Sequence, residues 1–257
     1  MLKKKLLVVA LASAFSLPAM ADDLTFSSNV SLVSDYLYRG ISQTGANPAL
    51  QGGFDLSHAS GFYAGAWGSS ISWLSDAGVN GTTSGISNSG LELDTYVGYK
   101  GTAGDIGYDV GYLRYNYPGT YAGNAVKADT DEIYGAVSYS ILTAKLSYSL
   151  GDTFGIAKTA GTTYAELNAS YALPDTGITF GGHIGAQTFT GSGADSLKAA
   201  GTDPTYSDYK LSVSKDFSGY VVGLALSGTS SVSSWYTNMQ GTKTGKGTAV
   251  LSLSRAM

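Results

Sequence analysis

From Leu24 onward the chain alternates. Leu24, Phe26, Val30, Leu32, Tyr36 and Tyr38 share one parity, while Thr25, Ser27, Asn29, Ser31 and Asp35 share the other. Successive side chains of a strand point to opposite faces, so each parity is one environment. The same division recurs along the chain. Leu50, Phe54 and Leu56 oppose Gln51, Asp55 and Ser57, and Leu91, Leu93, Val97 and Tyr99 oppose Glu92, Asp94 and Lys100. Leu142, Leu146 and Tyr148 oppose Thr143, Lys145 and Ser147; Ala165, Leu167 and Tyr171 oppose Glu166, Asn168 and Ser170. Ile178, Phe180 and Ile184 oppose Thr179 and His183, and Tyr209, Leu211 and Val213 oppose Asp208, Lys210 and Ser212. Two segments are less clean. Gly61–Trp73 carries aromatic residues on both parities, and Arg114 falls on the apolar parity of Tyr108, Val110 and Tyr112, predicting a bulge or an exit from the membrane there.

The connections alternate too. His58–Gly61, Gly101–Gly104, Ser140–Ile141, Pro174–Gly177 and Ser218–Gly219 are short, and polar stretches near 37–48, 74–89, 118–130, 151–161, 190–205 and 230–246 are long. The pattern predicts about twelve strands in an all-β, membrane-spanning, antiparallel up-and-down barrel, with tight periplasmic turns, long external loops and both termini on the periplasmic side. Gly81–Gly85 is expected to be an external loop tip. A soluble barrel also alternates, but points its apolar face inward. Here single charges sit mid-strand on the polar parity, and tyrosines recur near strand ends as in an aromatic girdle.

Residues 1–21 read differently. Lys3, Lys4 and Lys5 precede an apolar run from Leu6 to Leu17, and Ala19-Met20-Ala21 fits a small-x-small cleavage site. The run is too short to cross a bilayer and reads as a secretory signal peptide, leaving residues 22–257 as the barrel. The expected location is the outer membrane, with its lipid as a partner.

Composition sharpens this picture. Charged residues make up only 13% of the chain, with 19 Tyr, 35 Gly and no Cys. Low charge suits a wall that meets lipid, and the lack of cysteine excludes disulfides and thiolate metal sites. Without the three leader lysines, twelve basic residues face 19 acidic ones, a balance that disfavours nucleic acid as a partner.

Ser34-Asp35-Tyr36-Leu37-Tyr38-Arg39-Gly40-Ile41-Ser42-Gln43-Thr44, followed by Asn47-Pro48-Ala49-Leu50-Gln51-Gly52-Gly53-Phe54-Asp55, resembles the signature of the TorF porin family. Gly61–Ser69, Tyr112–Gly119, Ser138-Tyr139 and Lys145–Ser149 match more weakly, and together the resemblance spans nearly all of the presumed barrel. It implies an outer-membrane barrel with a porin role, and neither a settled substrate nor catalytic residues. The ending Ser252–Met257 departs from the aromatic terminus common in such barrels.

A charge facing lipid costs a few kcal/mol at the midplane, so the polar parity is expected to line the lumen. The lumen-lining candidates are Asp35, Arg39, Asp55, Glu92, Asp94, Asp109, Lys145, Glu166, His183, Asp208 and Lys210. They read equally as selectivity charges or as a neutralised network filling a narrow barrel. Arg39 is expected on the wall beside Asp55, and Asp35 is a further candidate partner. The expected activity is passive passage of small hydrophilic solutes or ions with a modest cation preference; the alternative is a closed barrel with a structural or loop-mediated binding role. Two distant histidines without cysteine make no metal motif, and His183 has no identifiable nucleophile in sequence, so neither catalysis nor a cofactor is expected.

Overall fold

A computed structural model describes residues 23–77, 85–231 and 234–257. The presumed leader, its cleavage site and most of the Gly81–Gly85 tip lie outside the described residues.

Twelve antiparallel strands form one closed barrel. They are β1 (Leu24–Val33), β4 (Ala49–His58), β5 (Phe62–Ser70), β6 (Leu91–Ala103), β7 (Ile106–Asn116), β8 (Thr130–Tyr139), β9 (Leu142–Ser149), β10 (Thr163–Leu173), β11 (Ile178–Thr188), β12 (Tyr206–Phe217), β13 (Tyr220–Thr229) and β14 (Thr248–Ala256). Each pairs with its neighbours in sequence, and β1 closes the ring on β14. Two more strands, β2 (Leu37–Tyr38) and β3 (Ile41–Ser42), pair only with each other. Short helices α1 (Trp73–Asp76) and α2 (Gly191–Ala199) lie in two of the long loops.

Backbone chemistry explains the two ends. At the turn end, Ser218 and Gly219 both have positive φ, the geometry that folds a two-residue hairpin along the strand twist. At the loop end, the chain between β5 and β6 packs Ile71 and Leu74 against Tyr36, Tyr115 and Tyr117 in a small apolar core.

Along the barrel strands the expected faces hold. Leu50, Phe54, Val97, Leu146, Ile184, Leu211, Leu224 and Leu251 point outward and are exposed, Leu211 at 65%. Burying apolar surface stabilises a chain in water, so a closed wall that displays such a band on every side suits a lipid surround. Tyr139, Tyr171 and Tyr220 stand exposed near the turn end, and Tyr112, Tyr148 and Tyr209 near the loop end. The mixed aromatics of β5 also resolve, with Phe62 exposed and Tyr63 bonded inside to Asp109.

Arg114 makes no bulge. The ladders of β7 with β6 and β8 run without a skipped residue, and Arg114 pairs outside the barrel with Asp131 at 2.8 Å and Asp129 at 3.4 Å. It sits two residues from the loop end of β7, where an outward charge can reach water.

Candidate functional site

The alternation of β1 continues in sequence to Tyr38, but the strand stops at Val33. Residues 34–48 then turn inward and put the β2–β3 hairpin inside the barrel. Tyr36 and Tyr38, expected on the outer face, are inside instead: the Tyr36 hydroxyl donates to Glu92 Oε1 at 2.7 Å, and that of Tyr38 to the Tyr115 hydroxyl at 2.8 Å. Asp35 also leaves the wall. Its Oδ1 accepts from Ser42 at 2.6 Å and Thr44 at 3.0 Å, closing the loop on itself. Burial pushes the Asp35 carboxyl above its ordinary range, against the lowering effect of those hydrogen bonds.

Arg39 forms the hairpin tip. Its φ of 47° and the 77° of Gly40 place two consecutive residues in the left-handed region. Gly40 is needed there for a second reason: a Cβ would come within 2.8 Å of Thr229 and Asp208 on the wall. The expected pairing of Arg39 with Asp55 is wrong. Arg39 Nη2 meets Glu132 Oε2 at 2.7 Å and Nη1 meets Gln187 Oε1 at 2.7 Å, while its guanidinium covers the rings of Tyr164 at 4.3 Å and Tyr38 at 4.8 Å. Asp55 instead accepts from Tyr96 at 2.6 Å, deeper toward the turn end. Arg39 belongs to no wall strand; a loop carries it inward.

The wall around the tip is acidic. Glu92, Glu132 and Asp208 are buried, and Asp94 is only 8% exposed. Among the described residues Glu92 Oε2 and Asp94 Oδ1 have no hydrogen-bond partner, an arrangement that costs free energy unless a positive charge or proton is near. Arg39 is the only lysine or arginine to form an ion pair within this ring among the described residues. Thus Glu92, Asp94 and Asp208 lie in one layer with Arg39, whereas Asp55, Asp109, Lys145, Glu166, His183 and Lys210 lie below it.

That lower half is a tyrosine–carboxylate network. Tyr63 donates to Asp109 at 2.5 Å, and Lys145 Nζ lies 4.3 Å from the centre of the Tyr134 ring. His183 bridges the layers: Nδ1 lies 2.7 Å from Asn168 Oδ1 and 3.6 Å from Glu166, and Nε2 lies 2.8 Å from Asp208 and 3.0 Å from the Tyr164 hydroxyl. Tyr164 lies over Gly185, where any side chain would collide with its ring. Lys210, opposite His183 on β12, remains exposed within the barrel.

The lumen-lining candidates omit Glu132, Tyr164 and Tyr115, and also Gln187, which the polar parity of its strand places on the inner face. Glu132 shares parity with Tyr134 and Ala136, and the strand that carries it begins at Thr130, inside the stretch near 118–130 expected to be loop. Above the hairpin, toward the loop end, lies a cavity of about 570 Å³.

The sequence profile of the bacterial family of unknown function Gcw_chp matches residues 19–257. The chain belongs to this family. Curated proteins give no match. Among solved structures, a KdgM porin in complex with disordered oligogalacturonate is similar at 7% identity, with 90% of this chain and 96% of that chain covered and a TM-score of 0.48. The outer-membrane channel DcaP of Acinetobacter baumannii gives 9%, 96%, 100% and 0.41, and an anion-selective porin from Comamonas acidovorans 12%, 91%, 99% and 0.37. With scores under one half, the function of the Gcw_chp chain has to come from its own side chains.

Proposed function

We propose that this Gcw_chp barrel is an outer-membrane channel of porin type, exported through a cleaved leader, that passes small hydrophilic solutes or ions with a modest preference for cations. The resemblance to TorF porins and the apolar outer wall support the class. The observation that carries the preference is the layer in which Glu92, Asp94, Glu132 and Asp208 surround the single guanidinium of Arg39. Acidic rings favour cations in narrow pores, and the effect weakens as salt screens them. In this reading the loop end is external, the turn end is periplasmic, and the partly exposed Glu166, Asn168 and Lys145 line water below the hairpin.

The inserted hairpin favours a second reading, a closed barrel that acts through its loops. Refolded protein in planar bilayers separates the two. Steady conductance with a cation-selective reversal potential in a salt gradient supports the channel. Folded protein without conductance supports the closed barrel, and anion preference at low salt overturns the charge assignment.

A further inference from the structure

The acidic layer supports the proposed cation preference but does not account for the cavity above it. That cavity, about 570 Å³, is large enough for one small organic molecule and too large for a bare ion to fill. Among the described lining residues eight are aromatic, including Trp73, Tyr117, Phe154, Tyr206 and Tyr236, and Asp76 is the one carboxylate. No lysine or arginine stands among the described lining residues.

The rings are held in different planes. Trp73 meets Tyr117 edge to face at an interplanar angle of 89°, and Tyr206 meets Tyr236 at 75°. The lining rings therefore stand in several planes, an arrangement that suits a compact cation better than a flat ligand sandwiched in a parallel stack. The cavity is also anchored. Ser72 and Trp73 donate backbone N–H groups to Gln43, Met239 donates to Asp76, and Ser42 donates to Thr244, so three loops form one rim.

Charge selects among occupants. A carboxylate ligand would meet Asp76 and no lining base. Arg39 lies beneath the floor, but Glu132 neutralises it directly and Glu92, Asp94 and Asp208 share its layer. We infer that this cavity is a capture site for a small organic cation, an amine or quaternary ammonium with an apolar body, held by ring faces with Asp76 as its counter-charge. The site rests on the channel reading only for the side from which it fills.

The test uses refolded full barrel and three probes, benzyltrimethylammonium, benzyl alcohol and benzoate, titrated by calorimetry. The cation should bind about fivefold or more tighter than either other probe, in line with cation–π attraction in a partly desolvated site. Asp76→Asn keeps an acceptor for the Ser72 hydroxyl and should weaken the cation alone, with benzyl alcohol unchanged. Trp235→Leu, which removes a lining ring, should weaken it as well. Folding of each variant is checked by its heat-dependent migration. No binding of the cation, equal binding of all three probes, or an unchanged Asp76→Asn overturns the inference. A barrel that conducts without binding loses this site alone, and one that binds without conducting loses the channel.

Discussion

Arg39 and Glu132 are 93 residues apart in sequence and 2.7 Å apart in space, and they fasten a loop hairpin to the inner wall of the barrel. Both side chains are nearly inaccessible, so neither charge has water to fall back on. Removing one partner of such a pair leaves the other buried and uncompensated.

Arg39→Ala should therefore destabilise the folded barrel by about 3–5 kcal/mol, or release the hairpin from the lumen and raise conductance. The double variant Arg39→Ala with Glu132→Gln should recover much of the loss. A double-mutant cycle in unfolding free energy checks the coupling; additive losses would mean that the pair does not exist.

Gly40→Ala tests the hairpin tip. The added methyl requires a left-handed alanine and collides with Asp208 and Thr229. The loss should be about 1–3 kcal/mol, the scale of a strained backbone conformation. Equal unfolding midpoints in wild type and variant would place the tip away from the wall.

Asp94→Asn should stabilise the barrel. Asp94 is buried, its Oδ1 is unpartnered, and the carboxylates of Glu92 and Glu132 lie near. The amide removes the repulsion but stays a buried polar group, so the gain should be modest, about 1 kcal/mol. Urea unfolding in vesicles measures it, and cation selectivity should fall in the same variant.

Asp35 sets a pH dependence for the inserted loop. Its folded carboxyl sits above its ordinary value, so the folded loop binds a proton more readily than the released one. Stability then falls as pH rises from the ordinary carboxylate value through the raised one, and is regained on acidification. Closed-state dwell times across this window should shorten with rising pH, and Asp35→Asn should flatten the trend.

The outer face is tested by a pair of neighbours. Leu211→Lys places a charge on the exposed apolar band and should cost about 2–4 kcal/mol in a bilayer, whereas Ser212→Lys faces the interior and should cost little. Equal costs would contradict the faces.

These predictions separate what periodicity reveals from what it hides. A period of two assigned Leu211 and Ser212 to opposite faces and put Glu92, Asp94 and Asp208 together on the inner one, because a wall strand has no other freedom. It failed at Tyr36. Val33 and Ser34 reverse the alternation where β1 ends, but Tyr36 and Tyr38 restore it beyond, so the pattern alone continues the strand past the point where the chain turns inward. Partners such as Glu132 and Gln187 depend on where that loop lands, which no local pattern encodes. Arg114 shows the reverse: an odd charge on the apolar parity predicts a bulge or an exit from the membrane, the ladder carries no bulge, and Asp131 pairs with the charge near the loop end of β7.

The ring is joined least firmly where β1 meets β14. Five residues, Asn29–Val33, are in register with that strand, against ten with β4 on the other side, though Ser28 and Met257 add a reciprocal pair of backbone hydrogen bonds at 2.8 Å. Until this seam forms, the sheet is a curled ribbon with two raw edges, whose bare amides and carbonyls a bilayer cannot solvate. Such a ribbon has no comfortable stopping point, so assembly is all or nothing. A finished barrel pulled apart sideways would unzip first along those five residues.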